Sequence, residues 1–269
     1  MKRKIMRACL LVLMMGALAG GCQKEPVETE QTDLPVIVVG CDDYSPFSYA
    51  DANGEMTGID VELAREAFSR IGYTPKFVFI NWEDKKQLLE DGTIDCIWSS
   101  YTMTGREQEY NWAGPYMQSR QVVAVSEESD IQTLQDLEDK VIAVQNTTKP
   151  EDIIRSHDGT LPKFRKVISV QKRDLIFILL SKGYVDALAA HDTSVDQFMS
   201  DTGLKFRILD EPLQIVELGV AFDKSDTRGI NTELTEALSQ MREDGTTERI
   251  IGKYLLNAQD YLEDTNAED

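Results

Sequence analysis

Histidine and cysteine are scarce in this 269-residue chain, with two of the first and four of the second. No set of His, Cys and carboxylates has the spacing of a metal site. There is also no constellation of nucleophile and base, so neither a metal nor another cofactor is expected. Positive charge is short too. Lys and Arg number 28 against 47 Asp and Glu, a formal net charge of −19. Such a chain lacks the basic footprint that nucleic acid requires. After the first 22 residues no apolar run is long enough to span a bilayer. No short-period repeat or low-complexity tract is visible.

What is present begins with an address. Lys2, Arg3, Lys4 and Arg7 precede an apolar run from Ala8 to Ala19, followed by Gly20, Gly21 and Cys22. This pattern predicts a signal peptide over 1–21, too short and wrongly flanked to be a spanning helix. Small residues directly before Cys22 resemble a bacterial lipobox, although Ala19 stands where that motif usually has Leu. Cys22 is therefore expected to become the lipid-bearing mature N-terminus. Residues 22–33 hold almost nothing to bury and read as a flexible tether. Removing 1–21 takes away four positive charges and no negative ones, so −19 becomes −23. The remainder, about 230 residues, is long enough for a substantial core and two lobes. Cys41 and Cys96 lie at or in expected strands. A disulfide and two buried thiols are both open readings.

Pro35 to Gly40 is β-branched and reads as a first buried strand. Apolar residues Ile59, Leu63, Ala64, Ala67, Phe68 and Ile71 follow the helical period up to Gly72. Lys76–Ile80 is a second strand, Glu83–Glu90 a helix and Ile94–Ser99 a third strand. This β-α-β-α-β order implies a largely parallel sheet with crossover helices. Residues 107–121 are rich in aromatic and small residues, and a strand is expected at Gln121–Val125. A second α/β series follows, with strands at Lys140–Gln145, Val167–Val170, Val185–Ala190 and Leu204–Leu209. Pro150 sits near the start of a helix, where proline is tolerated. Glu217–Phe222 is a further strand, and Ile230, Leu234, Ala237, Leu238 and Met241 mark an amphipathic helix. A last helix is expected over Thr246–Leu256, and 258–269 reads as an acidic, frayed tail.

Two α/β series joined by two crossings place a cleft at the carboxyl ends of the strands, where open α/β sheets bind ligands. The stretch from Trp98 to Glu107 leaves such a strand end. It offers hydroxyls, an aromatic and an arginine, a type of side chain that can grip a carboxylate with two parallel hydrogen bonds.

From Pro35 to Leu256 the chain resembles the bacterial extracellular solute-binding proteins of the polar amino-acid type (family 3), the receptors of ABC importers. Five pieces carry the likeness. They are Asp43–Phe47; Gly54 with Thr57–Ala64; Asp95–Thr104 with Gly114-Pro115-Tyr116; Val185–Leu188 with His191-Asp192; and Asp244–Ile250 with Lys253-Tyr254. The resemblance implies a two-lobed type II periplasmic-binding-protein fold with two crossover hinge strands. Lobe 1 would be discontinuous, 34–121 and 216–257, and lobe 2 would be 122–215.

Carried over residue by residue, the resemblance makes Tyr44 an aromatic cover for the ligand, with a flat apolar face and a polar tip. Ser100 and Thr102 would meet the ligand's ammonium or carboxylate, with Tyr101 between them as a second wall. Thr147 and Thr148 would offer amides at a helix N-terminus, which favours a carboxylate and also fits plain capping. Asp192 would receive the α-ammonium, an N-cap being its other reading. Arg106 departs from the family's Thr-x-Thr-x-x-Arg pattern by arriving one residue early, with Glu107 at the usual arginine position. Gly105 permits a tighter backbone path, so Arg106 is expected to reach the ligand carboxylate. The competing reading pairs it with Glu107, Glu109 or another surface carboxylate. His191 is expected to be structural or solvent-facing, and Trp98 and Phe47 to lie in the core. Asp43 and Glu217 either add negative charge near the pocket or face solvent.

The implied function is capture of a polar amino acid and delivery to a membrane permease with its ATPase. The protein would be a lipid-anchored monomer on the extracytoplasmic side. Two alternatives share the fold: an enzyme like cyclohexadienyl dehydratase or a peptidoglycan lyase, with Glu217 or His191 as acid or base, and a sensory ligand-binding domain.

Overall fold

The computed structural model describes residues 34–156 and 159–262. The signal peptide, Cys22, the tether and the end of the acidic tail lie outside the described residues. Strand β1 (Val36–Cys41) is followed by a small hairpin, β2 (Tyr49–Ala50) and β3 (Met56–Thr57), then by helix α1 (Ile59–Arg70). Five of the apolar residues picked out by the helical period, Ile59, Leu63, Ala64, Ala67 and Phe68, form the fully buried face of α1. Strand β4 (Thr74–Phe79), helix α2 (Lys85–Glu90) and the short β5 (Cys96–Ile97) complete the first series. β1 runs parallel to both β4 and β5.

Strand β6 spans Asn111–Ser126, sixteen residues. The sequence expectation began it ten residues later, at Gln121, leaving the aromatic- and small-residue-rich stretch with Gly114-Pro115 outside any strand. The structure accommodates the pair in a register shift opposite Gly219, between the pairings Leu218↔Met117 and Val220↔Ala113. A bulge is one of the few places a strand tolerates proline.

The second series comprises β7 (Val141–Gln145), α3 (Lys149–Arg155), β8 (Lys166–Val170), α4 (Asp174–Ser181), β9 (Ala187–His191), α5 (Asp192–Thr202) and β10 (Phe206–Ile208). The chain returns through β11 (Gln214–Phe222) and ends on α6 (Ile230–Glu243) and α7 (Thr246–Ile251). The sheet order is β4-β1-β5-β11-β6-β9-β7-β8, with β10 also on β6. The first half of β6 pairs antiparallel with β11, and its second half with β9 and β10. These two long strands therefore carry the chain between the two series.

The cores divide the same way. Two apolar clusters draw only on residues from Ile37 to Trp112 or Met117 and from Val216 onward. The other two draw only on residues from Val122 to Leu213, with Phe177 stacked on Phe198 at 4.3 Å. One correction falls at the C-terminus. Residues 258–261 form a short 3-10 turn, and Ala258 and Leu262 join the first core. The acidic composition of the tail hid this apolar pair, four residues apart. Cys41 and Cys96 are free and buried, and burial pushes the Cys41 thiol up to about 12. Among the described residues, no helix is long and apolar enough to cross a membrane.

Candidate ligand-binding site

The loop after β1 is held by the N-terminus of α1. The amides of Ile59 and Asp60 donate to the carbonyls of Pro46 and Phe47, each at 2.9 Å. This clamp fixes Tyr44, which is 4 % exposed and packs on Phe47 at 5.0 Å between ring centres. The guanidinium carbon of Arg173 lies 3.3 Å from the Tyr44 ring centre, a cation–π contact from the second series.

The stretch after β5 is fixed from below. Ser100 takes a positive φ of 48°, and its amide donates to the buried carboxylate of Asp60 at 2.5 Å. Burial pushes the Asp60 carboxyl up to about 7, against the opposing pull of that amide. Tyr101 is buried in an aromatic nest, edge-on to Trp82 at 5.5 Å and donating its hydroxyl to Tyr110 at 3.1 Å. Thr102 bridges to Leu218 and accepts from Gln121 Nε2 at 3.5 Å.

Gly105, at φ 77°, makes the tight path its position suggested. Glu107 accepts from the Gly105 amide at 2.8 Å and is not the partner of Arg106. Arg106 is 9 % exposed, lies 5.3 Å from the Tyr101 ring centre and pairs with Asp152 of α3 at 2.5 Å. It thus both lines a cavity and makes an ion pair, and its carboxylate comes from across the cleft.

That cavity encloses about 440 Å³ including its open mouth, within the usual size of small-molecule sites. From the first series it is lined by Tyr44, Trp82, Ser99 to Thr102 and Arg106. Gln145, Thr148 to Pro150, Arg173, Ile176 and Ala189 to His191 line it from the second. Further contacts cross it. Asp42 accepts from Arg173 at 2.7 Å and from Gln145 at 3.1 Å. Glu83 accepts from Asn146 and Gln171. Lys85 donates to the Thr147 carbonyl at 3.1 Å and its hydroxyl at 2.9 Å, and burial pulls the Lys85 ammonium down to about 8.

Of the residues picked out in sequence, Tyr44, Ser100, Tyr101, Thr102, Arg106 and Thr148 meet here, and Thr147 and Asp192 do not. The Thr147 amide is already taken by Glu151 at 2.7 Å, which closes the first turn of α3 back on itself. Asp192 opens α5, accepts from the Thr193 amide at 2.7 Å and lines a different cavity with Ser119, Arg120 and Tyr261. Its neighbour His191, the last residue of β9, faces the cleft instead. A one-residue step at a strand end turns a side chain to the other side. Asp43 and Glu217 do not line the cleft cavity.

Sequence reasoning missed Arg173, His191 and Lys149. Arg173 and Lys149 follow the carboxyl ends of β8 and β7, where parallel sheets present ligand contacts. His191 ends β9. It is held by Ser119 Oγ at 2.7 Å from Nδ1 and by Gln121 Nε2 at 2.9 Å from its own Nε2. Burial, then Arg173 and Arg106, push its pKa down to about 3, so it is neutral.

A cleft lined from two α/β series and crossed by two long strands defines a receptor for a small ligand. The family model of the bacterial extracellular solute-binding proteins, family 3, matches residues 36–257. The chain belongs to that family, and its fold is the two-lobed type II periplasmic-binding-protein fold. Among its relatives, a histidine-binding periplasmic protein of Salmonella typhimurium is 30% identical over 220 residues, covering 78% of this chain and 84% of the relative. A solved ancestral amino acid-binding protein, described as a precursor of cyclohexadienyl dehydratase, superimposes with a TM-score of 0.72 at 27% identity, over 82% of this chain and 96% of that one. A substrate-binding protein of a Streptococcus pneumoniae ABC uptake transporter, solved with bound histidine, gives 0.76 at 24% identity, over 82% and 92%.

Proposed function

We propose that this chain is the extracytoplasmic substrate-binding component of an ABC importer, capturing a polar amino acid between two lobes and delivering it to a membrane permease and its ATPase. Lobe 1 is 34–121 with 216–257, and lobe 2 is 122–215. The observation that carries the reading is the convergence of Tyr44, Ser100 and Arg106 from one series with Thr148 and Arg173 from the other on one cavity. Arg106 holds the ligand carboxylate. The Ser100 and Thr102 hydroxyls bond its polar atoms, and Tyr44, with Tyr101 behind it, forms the apolar cover. The amino-acid ligands named for the relatives support the same class. A signal peptide over 1–21 and lipid on Cys22 would tether the protein to the membrane, as a monomer.

The protein acts as a binder and not as a catalyst. Glu217, one candidate acid or base, lies outside the cavity. The other, His191, is a very weak base at a pKa of about 3. Thermal melting against the twenty amino acids tests the proposal. At a hundred times the dissociation constant a ligand stabilises by about 2.7 kcal/mol. For a protein of this size that raises the melting temperature by roughly 5–10 °C. No shift with any amino acid, together with turnover of a prephenate-like acid or a glycan, would favour the enzyme reading.

A further inference from the structure

The charge of the cleft wall is one-sided. Three cationic side chains line it, Arg106, Lys149 and Arg173, and no carboxylate does. The carboxylates nearest the arginines are engaged: Asp152 accepts from Arg106 at 2.5 Å and Asp42 from Arg173 at 2.7 Å. A guanidinium has five donors, so each arginine keeps donors for a ligand after making its pair. Lys149 is half-buried and makes no ion pair among the described residues, although Asp152, Glu107 and Glu109 act on it at longer range. At the strand end where Asp192 was expected to receive an α-ammonium, the cleft presents instead His191, a neutral imidazole held by Ser119 and Gln121. Asp192 lines another cavity.

Two further groups point the same way. The indole N–H of Trp82 and the hydroxyl of Ser100 are buried without a partner, and both side chains line the cavity. Trp82 can only donate, so its partner must be an acceptor atom. A wall of cations and open donors costs free energy when closed over a cation, and gains more over a carboxylate than over a neutral amide, whose oxygen accepts only weaker bonds.

We infer that the ligand of this cleft is a small dianionic carboxylate, an acidic amino acid or a plain dicarboxylic acid, and not a cationic or neutral amino acid. The inference rests on the reading of the cleft as a ligand-capture site. The two arginines and Lys149 take the carboxylates, and Ser100 and Trp82 donate to the remaining oxygens.

Isothermal titration of the whole chain with L-glutamate, L-aspartate, glutarate, L-glutamine and L-arginine tests it. Glutamate and glutamine have nearly the same shape and differ in one charge. Glutamate, aspartate or glutarate should bind at least tenfold tighter than glutamine and arginine, with the preference falling in high salt. Glutarate equal to glutamate would show that the ammonium is not read, and a large preference for glutamate would show that His191 or a hydroxyl reads it. Glutamine or arginine binding as tightly as the best acid overturns this inference and leaves amino-acid capture standing. Glutarate bound with no amino acid bound overturns amino-acid capture and leaves this inference standing. No binding by any of the five overturns the dianion.

Discussion

Replacing Arg106 by alanine weakens ligand binding by roughly tenfold to a hundredfold while leaving the free protein folded. A hydrogen bond to a charged partner is worth about 1.5–3 kcal/mol, and about 1.4 kcal/mol is tenfold in affinity. The separation of the two effects follows from the partner's exposure. Arg106 is 9 % exposed, but Asp152, with which it pairs, is 55 % exposed. When the guanidinium is removed, Asp152 turns to water, and the folding cost is that of a surface pair, about 0–1 kcal/mol. The ligand carboxylate has no such escape once the cleft is closed. Arg106→Lys should restore only part of the affinity, because an ammonium cannot form the two-pronged contact. Titration calorimetry on the three proteins measures this. A change of less than threefold in Arg106→Ala would mean that the residue serves only its pair with Asp152.

Gly58→Ala carries the largest expected stability loss. Gly58 has φ 120° and precedes α1, and a Cβ placed there would sit 2.3 Å from the Phe47 carbonyl oxygen. Strain at such a backbone angle costs about 1–3 kcal/mol, and overpacking costs a similar amount. The neighbouring atoms cannot give way, because the Pro46 and Phe47 carbonyls accept from the first amides of α1. A loss of roughly 3 kcal/mol lowers the melting temperature by about 6–12 °C in a protein of this length. The same clamp positions Tyr44, so ligand affinity should fall as well. Scanning calorimetry reads the first effect, and a melting temperature within about 2 °C of the unsubstituted protein would contradict it.

These two residues also show what the sequence could and could not tell. The order of strands and helices was legible because each apolar run had the period of its element, as in α1, where five periodic residues form the buried face. The length of β6 was not, because a Gly-Pro pair reads as a break until a partner strand supplies a bulge. Arg106 was legible as a cleft residue, since Gly105 allows the early turn. Its partner was not, because Asp152 comes from a helix 46 residues away.

The misplacements at Asp192 and Thr147 have local causes. Both stand at helix starts, where one residue decides whether a side chain faces the ligand or the helix. At Thr147 the amide was spent on Glu151, the third residue of α3, which reaches back over the helix start much as the acidic residue of a capping box does. At Asp192 the strand ran to His191, one residue past the expected Ala190, and His191 took the cleft-facing place. Arg173 went unseen because its role depends on meeting Tyr44 from 129 positions away along the chain.

A crystal structure of the chain with its tightest-binding ligand is the most direct test of the cleft as the capture site. The predicted result is a ligand carboxylate within hydrogen-bond distance of Arg106 and Ser100, under the ring of Tyr44, with Asp192 untouched. A ligand seated instead against Asp192, Arg120 and Tyr261, with Arg106 bonded only to Asp152, would contradict it.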